Sequence, residues 1–261
     1  MGNIEVIDFN NCTSERMKEE GFGGIRVMVT KKENVTYVVK PQNLNQTLNE
    51  IMAQIMLKSL GLTPIEYVFV EIDGTHYGAL KYIDNLTRVT DKRYKLLSRE
   101  KKIEFLKHLF LNFFLANQDI CGEIYVTPGG DVVSLDYGEA GISVSLERVY
   151  DQPSELHRLF ITFVNNKTST DLLTTYTKNY VDTAVDRYVD DSITKEDICG
   201  VVLSMVESIV NADNSEYEAF LYDLDDLHGE LIAYLYQQHL NGVIDTSEYI
   251  IEHFDKIIGK I

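Results

Sequence analysis

The sequence predicts an α+β fold, on three observations. Residues up to about 85 read mainly as strands, with one helix among them. From about Ser98 onward the apolar residues recur at helical spacing. The two patterns do not alternate as strand–helix units, which separates this chain from the parallel α/β folds.

The elements follow in order. Ile4 to Phe9 reads as a first strand. Ile25 to Thr30 and Val35 to Lys40 are rich in β-branched residues and flank the polar turn Lys31-Lys32-Glu33-Asn34, a strong hairpin signal. Pro41 ends the second of these strands. Leu48, Ile51, Met52, Ile55 and Met56 lie on one face of a helix that stops at Leu60-Gly61. Ile65 to Ile72 and His76 to Ile83 form a second hairpin around Asp73-Gly74. Arg99 to Ala116 is a long helix carrying Phe105, Leu106, Leu109, Phe110, Phe113 and Phe114. Two short strands interrupt the helical part, Ile124 to Thr127 and Val132 to Leu135, joined by Pro128-Gly129-Gly130-Asp131. Further helices are predicted at about 153–166, 169–189, 194–212, 214–240 and 245–259. Two segments read as helix starts: Thr194 as a cap with Glu196 and Asp197 in the first turn, and Asp245-Thr246-Ser247-Glu248.

Composition narrows the function. A chain of 261 residues, 44% hydrophobic, fits one large domain or two small lobes with a sizeable core. No run approaches the ~20 apolar residues of a membrane span. The N-terminus has no basic region followed by an apolar one, and Val6 breaks the myristoylation pattern after Gly2. Cys12, Cys121 and Cys199 are dispersed, which points to a reducing compartment and a cytoplasmic location. Residues 1–150 hold 17 Lys+Arg against 20 Asp+Glu, and residues 151–261 hold 7 against 21. Binding to nucleic acid through its phosphates needs clustered positive charge, so that class is disfavoured. The acidic half reads as a solvated helical surface or as a face for a basic partner. The six histidines show no metal-ligand spacing.

Phosphoryl transfer needs a cradle for the phosphates, a cation on them, a metal-holding carboxylate and a group that orients the nucleophile. The chain offers a residue for each. Gly21, Gly23 and Gly24 allow backbone amides to approach a phosphate, although they also suit a plain turn. Lys40 ends the strand that follows, and Glu50 lies ten residues later near the start of the first helix. Together they match an ion pair that holds a phosphate-binding lysine; separately they suit a strand end and a helix N-terminus. Asp119 sits at the polar corner after the long helix, placed to orient an acceptor hydroxyl. Asp136 ends the second short strand, where its carboxylate suits Mg2+. Both aspartates also occupy positions where Asp is common for turn chemistry alone.

The run from Gly24 to Lys40, then Asn49-Glu50 through Leu60-Gly61-Leu62, then Asn117-Gln118-Asp119 and Leu135-Asp136-Tyr137-Gly138, resembles the HipA-like kinases. It is most similar to the compact form without a separate N-terminal subdomain, a distant relative of phosphatidylinositol and protein kinases. The resemblance covers roughly residues 20–145. It implies a bilobal protein-kinase-like fold, with a β-rich N-lobe over 1–85 and a helical C-lobe over 86–261. It also implies ATP and Mg2+ as cofactors and a Ser/Thr kinase acting on a protein, with a protein substrate or regulatory partner. By position, Lys40 matches the ATP lysine, Glu50 its partner, Asp119 the catalytic aspartate and Asp136 the metal-binding aspartate. Tyr82 and Ile83 fall near the hinge that contacts adenine. One departure stands out: Ile124 occupies the position of a metal-holding asparagine and cannot coordinate Mg2+, with Glu123 beside it as a substitute ligand. The alternatives are a pseudokinase serving as a nucleotide-binding or interaction module, and an acidic protein that binds a basic partner through residues 151–261.

Overall fold

A computed structural model describes residues 6–8, 13–17, 26–30, 35–40, 44–72, 75–115, 117, 123–138 and 170–258. Strands β1 (Val6–Asp8), β2 (Thr13–Met17), β3 (Arg26–Thr30), β4 (Thr36–Val39), β5 (Tyr67–Ile72) and β6 (Thr75–Lys81) form one sheet in the order β1-β5-β6-β4-β3-β2. β1 runs parallel to β5, and the other pairs are antiparallel. The two predicted hairpins are β3–β4 and β5–β6. Sequence reading missed β2. Thr13-Ser14-Glu15-Arg16-Met17 is an edge strand, and its polar residues carry no apolar alternation. Its pairing with β3, from Thr13↔Thr30 to Met17↔Arg26, is what makes it a strand.

Helix α1 (Leu44–Ser59) packs on β5 and β6 through its apolar face, with Leu48, Met52 and Leu57 fully buried. The approach is close at Gly78. A Cβ there would lie 2.5 Å from the Tyr67 hydroxyl and 2.7 Å from Thr47 Oγ1, so β6 needs a glycine at this point. The Gly78 carbonyl accepts from the Lys40 amide at 2.8 Å, so the same contact fixes the end of β4.

A second, smaller sheet is made of β7 (Thr87–Arg88), β8 (Ile124–Val126) and β9 (Val132–Ser134), all antiparallel. Among the described residues the helices after α1 are α2 (Asp91–Tyr94), α3 (Arg99–Phe114), α4 (Thr170–Tyr188), α5 (Lys195–Val210), α6 (Ser215–His228), α7 (Glu230–Glu252) and α8 (Phe254–Ile258). Thr194 caps α5 as predicted, in a reciprocal capping box with Asp197. A core running from Leu48 and Met52 of α1 through Phe105, Leu106 and Phe110 of α3 to Val202 and Leu240 joins the β-rich and helical parts. The predicted α+β class holds, in two lobes.

Two helix boundaries differ from expectation. The predicted helix at 214–240 breaks at Gly229, whose φ of 91° is a conformation that glycine permits. The predicted start at Asp245-Thr246-Ser247-Glu248 lies inside α7. Thr246 and Ser247 are buried there, and the Ser247 hydroxyl donates back to the Val243 carbonyl at 2.8 Å instead of capping a new helix. The predicted helix at 153–166 lies outside the described residues. Among the described residues no helix is long and apolar enough to cross a membrane.

Candidate functional site

Lys40 leaves β4 at the junction of the large sheet, α1 and the turn after β9. Its amine donates to Glu50 Oε1 at 2.5 Å and to Asp136 Oδ1 at 3.3 Å. The lysine is 5% exposed and Glu50 1% exposed, whereas the Asp136 side chain is 44% exposed. The ammonium therefore sits between a dry carboxylate and a wet one. Burial alone would push the Lys40 amine down; the charges of Glu50 and then Asp136, with their hydrogen bonds, outweigh it and hold the amine above the ordinary lysine value. Lys40 stays charged at neutral pH. The predicted Lys40–Glu50 pair is thus formed, and Asp136 joins it from 96 residues away.

Asp136 has a φ of 65°, a left-handed conformation that is uncommon outside glycine and that persists where the surroundings enforce it. Those surroundings are polar and buried. Asn117 Nδ2 donates to the Asp136 carbonyl at 3.3 Å and to Asn112 Oδ1 at 2.7 Å. Asn112 Nδ2 donates to the His108 carbonyl at 2.9 Å. His108 Nδ1 lies 3.2 Å from Ser134 Oγ, and the Ser134 and Tyr137 hydroxyls are hydrogen-bonded to each other. A connected set of side chains therefore braces the turn from below. Sequence reasoning missed His108, Asn112, Ser134 and Tyr137. The signal was present for two of them: His108 and Asn112 are polar residues four apart inside the apolar stripe of α3.

Burial pushes the His108 imidazole down to about 4, with the Val132 backbone offsetting part of the effect. An unfolded histidine titrates near 6.5, so between these values the unfolded chain binds more protons than the folded one. Stability from this group is full above pH 6.5 and is lost as pH falls toward 4. The expected loss over that range is about 3 kcal/mol. Urea unfolding at pH 7, 5.5 and 4.5 should show wild type losing stability relative to His108→Gln. Parallel losses in the two proteins would refute this role for His108.

The remaining predicted residues separate. Tyr82 is exposed, its amide donates to the Thr36 carbonyl at 2.8 Å, and its hydrogen bond with Asp84 raises its phenol. Ile83 is half-buried and packs against an apolar cluster of Val38, Ile65, Leu80 and Val133, joined by Leu135. This cluster, also missed in the sequence, connects the large sheet to the β8–β9 hairpin and borders Lys40 and Asp136 along the chain. The Glu123 carboxylate accepts from the Tyr125 hydroxyl and lies 3.6 Å from the Arg88 guanidinium. Ile124 pairs with Ser134 across β8–β9 and is 3% exposed, so its side chain belongs to the core. Gly21, Gly23, Gly24, Asp119 and Cys121 lie outside the described residues. Among the described residues no group of three or more His, Cys, Asp or Glu gathers as a metal site. The half-exposed Asp136 carboxylate is the donor type that Mg2+ prefers, a hard oxygen 3.3 Å from the Lys40 ammonium.

No protein-family model and no curated protein matches the chain. Solved structures do match. The Helicobacter pylori proinflammatory kinase CtkA superposes with a TM-score of 0.61 at 14% identity, over 98% of this chain and 100% of that one. HipA of Shewanella oneidensis MR-1, solved in a toxin–antitoxin complex with HipB and operator DNA, superposes with a TM-score of 0.54 at 12% identity, over 95% of this chain and 66% of that one. The fold is therefore a bilobal, HipA-like, kinase-related one.

Proposed function

We propose that this chain is a HipA-like kinase that binds ATP with Mg2+ and transfers the terminal phosphoryl group to a Ser or Thr hydroxyl, most naturally on a protein. The buried Lys40 ammonium, bonded to Glu50 and reaching Asp136, carries the reading. Glu50 fixes the lysine, and the fixed ammonium offers preorganised positive charge to phosphate oxygens. Asp136, longer in its contact and half exposed, is the carboxylate available to a second cation. When bound there, Mg2+ would neutralise charge on the phosphoryl oxygens. Adenine is assigned to the border of the buried apolar cluster of Val38, Leu80 and Val133, beside Leu135, Ile83 and Tyr82. Gly21, Gly23 and Gly24 are assigned to the phosphates, and Asp119 to the acceptor hydroxyl. Glu123 is assigned as a supplementary metal ligand, which requires its carboxylate to leave Tyr125 and Arg88.

One observation favours a second reading, nucleotide binding without transfer. Ile124 is built into the core at the position where the resemblance calls for a metal-holding asparagine.

Thermal-shift titration with ATP, with and without Mg2+, tests the proposal on wild type and Asp136→Asn. Near 100 Kd of ATP, wild type should rise by roughly 5 °C with Mg2+. The variant should lose the Mg2+-dependent part. No rise in wild type would overturn both readings. If the rise is seen, incorporation of labelled terminal phosphate into the protein itself or a Ser/Thr-rich test protein decides for transfer.

A further inference from the structure

Asn49 precedes Glu50 on α1 and is 0% exposed, a polar side chain in the core. Its amide is used at both ends. Asn49 Oδ1 accepts from the Tyr236 hydroxyl of α7 at 2.9 Å, and Asn49 Nδ2 donates to the Gly138 carbonyl at 3.0 Å. Tyr236 and Gly138 are buried as well. Tyr236 is itself anchored, since its carbonyl accepts from the Tyr217 hydroxyl at 3.0 Å and its ring meets Phe220 edge-on.

The positions of these bonds matter more than their number. Asn49 adjoins Glu50, and Gly138 lies two residues beyond Asp136. One amide thus ties together the two segments whose carboxylates hold Lys40. The apolar packing of Leu48 and Met52 brings α1 against the core, but apolar contact has no preferred direction. A hydrogen-bonded amide does. The side chain must present one acceptor to a hydroxyl and one donor to a carbonyl. Asparagine does so at this length; an ionised aspartate has no donor for Gly138, and leucine offers neither a donor nor an acceptor.

Resting on the nucleotide-site reading of Lys40, Glu50 and Asp136, we propose that Asn49 is a positioning residue. With Tyr236 it clamps α1 to the Asp136–Gly138 turn and sets Glu50 and Asp136 in register about Lys40. Helix α7, far from the site in sequence, thereby governs the geometry of the lysine.

The test reads Lys40 directly. Brief acylation of lysines followed by mass spectrometry is applied to wild type, Tyr236→Phe and Asn49→Leu. Lys102, a second buried and ion-paired lysine on α3, is the internal control. Loss of the clamp should raise Lys40 acylation by about fivefold, the scale of coupling between contacting residues, with Lys102 unchanged. Equal rises at both lysines would mean general loosening and overturn the proposal, as would no rise at Lys40. Tyr236→Phe removes one hydroxyl and keeps the ring, so it decides the question if Asn49→Leu does not fold. The same variants are then titrated with ATP and Mg2+, and the Mg2+-dependent shift should shrink in step with the rise at Lys40. A wild type without that shift would defeat the nucleotide reading, and the acylation result would still judge the clamp.

Discussion

Replacing Lys40 with methionine is expected to abolish the Mg2+-dependent response to ATP and also to destabilise the protein. Both effects come from one geometry. The Lys40 amine is 2.5 Å from Glu50 Oε1, and both side chains are buried. Removing the cation takes the Lys40 charge away from the buried Glu50 carboxylate, which costs about 3–5 kcal/mol. Asp136 loses less, because water reaches its carboxylate. The double variant Lys40→Met/Glu50→Gln also removes the buried negative charge and should recover most of the stability while still failing to respond to ATP. Loss of a preorganised cation should lower phosphoryl transfer at least ~100-fold, or ~2.7 kcal/mol of barrier. Urea unfolding and thermal shift on the three proteins separate the two effects. A Lys40→Met protein with wild-type stability would show that Glu50 does not depend on the lysine. A retained Mg2+–ATP response would remove Lys40 from the site.

Lys102→Met should also destabilise, without touching the nucleotide response. Lys102 is 4% exposed on α3, and its amine donates to Asp190 Oδ2 at 2.6 Å and Ser192 Oγ at 2.8 Å while lying 5.4 Å from the Tyr94 ring centre. Asp190 Oδ1 accepts from the Ser192 and Ile193 amides, so one carboxylate closes the corner between α4 and α5 and pins it to α3. The expected loss is about 2–3 kcal/mol, below that of a fully buried pair because Asp190 keeps some contact with water. The Lys102 hydrogen bond, with help from Ser192 and against burial, holds the Asp190 carboxyl well below the usual carboxylate range. A depressed carboxylate stabilises the fold above its unfolded value of 3.8, and that contribution fades as pH falls further. Wild type and Lys102→Met should therefore differ most at neutral pH and converge in acid. An equal difference at pH 7 and pH 3 would contradict the electrostatic origin. A variant that lost its ATP shift while folded would tie this corner to the site.

Much of the molecule was legible as local pattern. The α+β class, both hairpins of the large sheet, α1, α3 and the Thr194 cap follow from apolar period and turn chemistry, which act over a few residues. Lys40 at a strand end and Glu50 ten residues on were readable as a pair, because a strand and the next helix make a short-range unit. Where local chemistry is ambiguous, it misled. Asp245-Thr246-Ser247-Glu248 has the composition of a helix start, but a buried hydroxyl inside a helix satisfies itself on the preceding turn, as Ser247 does. β2 carries no alternation, because an edge strand of polar residues is defined by its neighbour.

By itself, then, the sequence determined the class of fold, the order of its main elements and the candidate residues Lys40, Glu50 and Asp136. The tertiary structure decided that Asp136 reaches Lys40 across 96 residues, in a left-handed turn braced by His108, Asn112, Asn117, Ser134 and Tyr137. It also decided that Tyr236 meets Asn49 across 187 residues. Such contacts leave no periodic trace in the chain. A buried polar side chain takes whichever partner the packing brings to it, because leaving its donors and acceptors unbonded in the core costs more than any local preference supplies.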